Sequence, residues 1–354
     1  MNGKAYMGVF RTTPARLLLL AAGLGLWLLS FLWTEPAAVW RALLVGFLYF
    51  TSLAGGLAVW PAVIHAADGR WAEGREDEAF AGIAFFPPGM IALLALWGAS
   101  STWAPWAGRS TPQGFWLDNT FLFGRETLGL LAFWLTALLF FRRRRTAGSR
   151  RTAAILILIF CAVFSLLAFD LVMALDPHWH SSLFGGYFFI SSLYIAIAAW
   201  GFAAAWDPAS DPEFRKTLGT LILVFSILTT YMMFSQLLPI WYENLPGETR
   251  FLYDRLHPPG VRAVTWFLLG AAWLGPLVLL LTEKARRGRL SLGLVSGLIL
   301  LAMWLERWWL VAPTFAPNPA PGLAEIGSAV ALLGAWGTTA ALLRRFSVQP
   351  GRPS

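Results

Sequence analysis

The sequence predicts an all-α polytopic membrane protein of about ten transmembrane helices, and three observations predict it. Of 354 residues, 57% are hydrophobic and only 13% are charged, which is not the composition of a soluble globular chain. Apolar runs of about 20 residues, long enough to cross ~30 Å of hydrocarbon, recur along the whole length. Tryptophan is abundant, at 20 residues, and many stand at the ends of these runs, where interfacial belts place them.

The runs cover about 16–33, 41–64, 84–99, 126–141, 152–175, 183–206, 217–241, 262–282, 290–310 and 325–343. No small-residue cleavage pattern follows the first, which therefore reads as a retained helix rather than a signal peptide. The third and fourth carry the weakest signal, and the third opens at Pro87-Pro88, which suits a helix start or a break. Arg125-Glu126 opens the fourth, and Asp170 lies in the last turns of the fifth. Pro239 sits inside the seventh, where it frees a backbone carbonyl and bends the helix. Glu306-Arg307 falls near the end of the ninth. With short loops and no repeat, residues 1–354 read as one integral membrane domain.

Charge then sets the topology. With the first run entering from the cytoplasm, twenty of the 27 basic residues fall on the cytoplasmic side, the block Arg142 to Arg145 with Arg150 and Arg151 among them. The other seven are Arg41, Arg109, Arg125, Arg250, Arg255, Arg262 and Arg307. Such a split obeys the positive-inside rule and places both termini in the cytoplasm, as expected of a multi-pass protein of a plasma membrane. The arginine block reads as an ordinary stop signal, and the acidic loop Glu73 to Glu78 as solvated. The net charge of +8 is spread between apolar runs and offers no compact basic module for nucleic acid.

The single cysteine, Cys161, excludes an intrachain disulfide, an iron–sulfur motif and covalent CxxCH haem attachment. The four histidines, His65, His178, His180 and His257, all fall at run ends or in loops. Haem held between helices is therefore not expected, and no metal site is either.

The remaining polar residues crowd one face, the outer one. A carboxylate inside a span is costly, so Asp170 must face protein or water, either paired with an arginine such as Arg125 or Arg307 or placed to exchange protons. Asp176, His178 and His180 follow it, and Glu126 and Glu306 stand on the same side. These six are the proton-handling candidates; an interfacial histidine beside Trp179 is the plainer reading of His178 and His180. Tyr231, Ser235, Leu238 and Tyr242 recur at helical spacing in the seventh run, with Gln236 about 100° round. They form a polar seam or bond to neighbouring helices. Adjacent Glu306 and Arg307 point in different directions, so each is expected to find its partner on another helix.

Two stretches carry a family likeness. Phe169 to Gly185, FDLVMALDPHWHSSLFG, and Phe234 to Thr249, FSQLLPIWYENLPGET, resemble motifs of the second quinone-related membrane subunit of bacterial alternative complex III. That complex is a quinol:cytochrome c oxidoreductase, and its membrane subunits are distant relatives of polysulfide-reductase-type anchors. The likeness covers about residues 110 to 315, with Trp116 to Asn119, Phe123, Arg125, Leu218-Gly219 and Pro276 as weaker matches. Gly247 and Ala174 depart from the pattern, where the family carries glutamate and serine.

The resemblance implies ten spans built as two four-helix bundles plus two further helices. It implies a place in the bacterial inner membrane beside a sister quinone-binding subunit, a periplasmic iron–sulfur subunit, c-type cytochrome subunits and lipids. The substrate would be a quinol, of menaquinone or ubiquinone, oxidised toward the periplasm, with haem and iron–sulfur centres confined to the partners. This chain would support that oxidation or conduct its protons, with no redox centre of its own. Arg125, Trp179, Tyr231, Ser235, Gln236, Tyr242 and Arg307 are then the candidates for contact with the ring or for the polar seam. A proton-coupled secondary transporter is the competing expectation, although transporters gather their polar groups near the midplane.

Overall fold

A computed structural model describes residues 13–72, 74–109, 113–144, 148–176 and 179–347, and among them the chain folds only into helices and their connections. All ten predicted runs are helices long and apolar enough to span a membrane. In order they are Pro14–Leu32, Pro36–Ala66, Glu76–Gly98, Asn119–Arg143, Ser149–Leu175, Phe184–Trp206, Pro212–Glu243, Pro259–Leu279, Arg289–Thr314 and Leu323–Leu343. They are spans one to ten below.

Several spans start earlier than hydropathy suggests, because polar caps and prolines open them. The seventh begins at Pro212, whose missing N–H costs nothing in a first turn, and the Asp211 side chain accepts the Phe214 N–H at 2.8 Å. The third begins with the α-helical turn Glu76–Ala79 and runs through the 3₁₀ segment Phe80–Phe85, so Pro87 and Pro88 open only its second α-helical part, Phe86–Gly98.

Spans two to five pack together as one four-helix bundle and spans six to nine as a second, with spans one and ten paired beside them. Span two joins the two bundles and is almost wholly buried. Its adjacent glycines face opposite ways. A Cβ on Gly55 would stand 2.2 Å from the Phe164 ring of span five, and one on Gly56 would stand 2.4 Å from the Ser192 carbonyl oxygen of span six. Each glycine lets one bundle close on the same helix. Gly56→Val is therefore expected to lower stability by about 1–3 kcal/mol, because a backbone carbonyl cannot swing aside. A thermal midpoint in detergent equal to the native one would show that the interface gives way more easily than its geometry implies.

Contacts between loops sort the span ends onto two faces. On one, rich in arginine, Arg75 bonds Asp207, Arg144 bonds Asp77, Arg150 bonds Asp68, and Lys216 meets Glu283 at 2.9 Å. The acidic loop is thus not simply solvated: Asp77 and Glu78 tie it down, Glu78 through Arg75 at 3.0 Å and the Trp200 indole at 2.9 Å. Arg75 within the loop and Arg144 at the end of span four supply the cations for these two carboxylates. Glu73 lies outside the described residues.

On the opposite face the short helix Pro246–Leu256 lies across the bundle ends. Arg255 of this helix is fully buried and donates to the carbonyls of Phe251, Trp309 and Leu310 at 3.0, 3.1 and 2.9 Å. The last two are among the carbonyls a helix end leaves unpaired, so the guanidinium closes span nine at its negative pole. Burial draws the Arg255 pKa down to about 9, against the pull of Asp176 and Asp254, and the group stays charged at neutral pH.

Candidate functional site

Span four opens on Asp118, whose side chain accepts the N–H groups of Thr120 and Phe121 at 3.1 and 3.0 Å. That cap fixes the turn carrying Arg125 and Glu126. Span five ends its α-helix at Leu171 and tightens into a 3₁₀ turn, Met173–Leu175, leaving Asp170 in the last α-helical turn. The two helix ends bring the side chains together. Arg125 holds Asp170 Oδ2 through Nε and Nη2, both at 2.7 Å, and its Nη1 donates to the Trp116 carbonyl at 2.9 Å. The guanidinium also lies over the Trp116 ring, 3.9 Å from its centre.

Glu126 completes the group. Its side chain is buried, its carboxyl faces that of Asp170, and among the described residues no donor reaches either of its oxygens. Among the described residues Asp170 Oδ1 has no donor either. Two buried carboxyls beside one guanidinium are electrically balanced when the set holds one proton, so the arrangement can take up or release one.

Asp170 forms part of the wall of a cavity of about 370 Å³ on the face opposite the arginine-rich loops. Trp106, Trp116, Phe169, Met173 and Trp179 supply most of its apolar lining, and Arg109, Asp176 and His180 join Asp170 as its polar part. The volume falls in the range of small-molecule sites. Trp179 is fixed by a parallel stack on Phe251, centres 4.0 Å apart, and by an edge contact with Phe184. The indole nitrogens of Trp179 and Trp106 are buried without an acceptor among the described residues. His180 stands exposed at the rim, 4.0 Å from Glu248. His178 lies outside the described residues.

The expected seam on span seven does not form. Tyr231 and Tyr242 are 66% and 81% exposed and turn away from the bundle. Ser235 is half-buried, and Gln236 faces inward but donates to its own helix, to the Met232 carbonyl at 3.1 Å. The packed face is Ser226, Thr229, Met233, Gln236 and Ile240. Spacing establishes which residues share a face, not which way that face turns.

Glu306 and Arg307 do satisfy each other, contrary to the sequence expectation: Nη1 reaches Oε2 at 2.6 Å. Adjacent positions diverge by about 100°, but both side chains are long enough to curl back. Each also has the partner on another helix that was expected. Tyr187 donates to Glu306 at 2.6 Å, and Arg307 donates to Ser191 at 2.8 Å and Ser52 at 3.3 Å. Arg307 lies 4.1 Å from the centre of the Phe188 ring, and both charged residues are fully buried. This cluster is sealed, and neither residue lines the cavity at Asp170.

Sequence reasoning missed Trp106, Arg109 and Arg255. Trp106 and Arg109 precede span four in a loop without periodicity. Arg255 resembled any loop arginine, although the hydrophobic residues flanking it, Phe251 and Leu252, hinted at a packed helix. No family model matches the chain, and no curated protein matches it in sequence.

Proposed function

We propose that the chain is a membrane subunit of a bacterial quinol:cytochrome c oxidoreductase and that the cavity at Asp170 takes the ring of a quinol on the periplasmic side. The observation that carries this reading is Asp170 Oδ1, a carboxylate oxygen with no donor among the described residues, in a residue of an aromatic wall. A quinol hydroxyl is a donor of the right kind to fill it.

Oxidising a quinol releases two electrons and two protons. Asp170 accepts a proton from one hydroxyl while Arg125 holds the carboxylate in place, and Glu126 behind it shares that proton. His180 at the rim is placed to take the second toward water. The Trp179 and Trp106 N–H groups, in residues of the same wall, are donors suited to a ring oxygen. One-electron iron–sulfur and haem centres in partner subunits would take up the electrons. The likeness of Phe169 to Gly185 and Phe234 to Thr249 to alternative complex III supports the same assignment.

Purification decides it. The tagged chain should leave the membrane with c-type cytochromes and with quinol:cytochrome c activity in the same particle. Isolation as a lone chain that couples proton flow to solute uptake in liposomes would overturn the proposal in favour of a secondary transporter.

A further inference from the structure

A second cavity, of about 430 Å³, lies on another side of the molecule between spans one, two, three and ten. None of its lining residues lines the cavity at Asp170. Small side chains shape it: Ala92 and Ala95 of span three and Ala331 and Ala335 of span ten form part of its walls. From Ser328 to Thr339 the slot follows span ten for about 16 Å.

Its polar groups are already spent. Ser328 donates to the Ala42 carbonyl at 2.9 Å, Thr338 to Gly334 at 2.8 Å and Thr339 to Ala84 at 2.7 Å, while the Trp27 indole donates to Val39 at 3.1 Å. Water needs two to four polar partners, and here every one of these donors is committed and the rest of the wall is apolar. An empty space of this size forfeits the dispersion contacts of its whole lining. The occupant must therefore be hydrocarbon, and at this depth in the spans the bilayer supplies it.

We propose that this slot is a binding site for one acyl chain of a phospholipid, which fills the gap between the peripheral pair of spans one and ten and the first bundle. The chain acts as a wedge. Spans one and ten grip each other backbone to backbone, a Cβ on Gly23 standing 2.2 Å from the Ala331 nitrogen, whereas their contact with span three runs around the slot. A site defined by shape and apolar walls selects a flexible chain and leaves the headgroup unspecified.

Photoactivatable fatty acids, which cells incorporate into phospholipids but not into isoprenoid tails, provide the test. Irradiation of the purified complex after a detergent wash should label peptides containing Ala95 and Ala335, whereas the same wash before irradiation should abolish labelling of the outward face of span seven around Ile227. In Ala95→Phe and Ala335→Phe, where a ring occupies the slot, the slot labelling should be lost while that of span seven in unwashed membranes is unchanged. Slot labelling that washes away as readily as that of span seven, or that persists in both variants, would overturn the proposal. If neither variant accumulates, the wash of the native complex decides alone. Unlabelled slot peptides accompanied by a retained isoprenoid quinone would assign the slot to a quinone tail instead and reject the acyl chain.

Discussion

Arg307→Met is expected to leave little folded protein in the membrane. The native guanidinium balances Glu306 at 2.6 Å in a fully buried setting and gathers Ser191 and Ser52 from two other spans. Methionine fills much of the volume but leaves the carboxylate with Tyr187 alone. Breaking a buried ion pair from one side costs about 3–5 kcal/mol, a large share of a typical total of roughly 5–15 kcal/mol. The pair itself contributes far less than that, since its attraction is offset by the loss of hydration. The double variant Glu306→Gln with Arg307→Met should accordingly recover most of the loss. Thermal midpoints of the two variants and the native protein in one detergent check this. A single variant as stable as the native protein would mean that water reaches Glu306.

Asp170→Asn is expected to act on turnover instead. The amide oxygen can still accept from Arg125, so spans four and five stay joined and the particle assembles. It cannot accept a proton. Loss of a general base lowers rate by about 10²–10⁴-fold, and quinol:cytochrome c turnover of the purified complex should fall within that range. Glu126→Gln should cost less, because Glu126 does not line the cavity and acts only through its neighbour. Near-native turnover in an assembled Asp170→Asn particle would reduce Asp170 to a helix-pairing role. It would also remove the chemical basis for placing a quinol in the cavity.

The ten spans were legible because hydropathy is a property of the chain in one dimension. Their ends were less so, since Pro36, Pro212 and the Asp118 cap act through hydrogen bonding that hydropathy does not record. The core of the site was legible as well. Asp170 in a span demands a cation, and Arg125 was one of two arginines at the right level. The direction of the span-seven stripe was not, because Tyr231 and Tyr242 repeat as regularly as Met233 and Ile240 do on the packed side. Arg255 shows the opposite limit. Its partners are carbonyls of span nine, and main-chain acceptors have no signature in a sequence.

The two-sided burial of span two has a consequence for how the protein is made. A ribosome delivers this helix near the start, but the partner that closes on Gly56 is span six, more than a hundred residues later. Until then that flank meets lipid, which its apolar surface tolerates on every side. The middle of the molecule is thus laid down first and finished late. Nascent chains arrested before span six should present a helix with one half packed and the other exposed to whatever quality-control machinery patrols the bilayer.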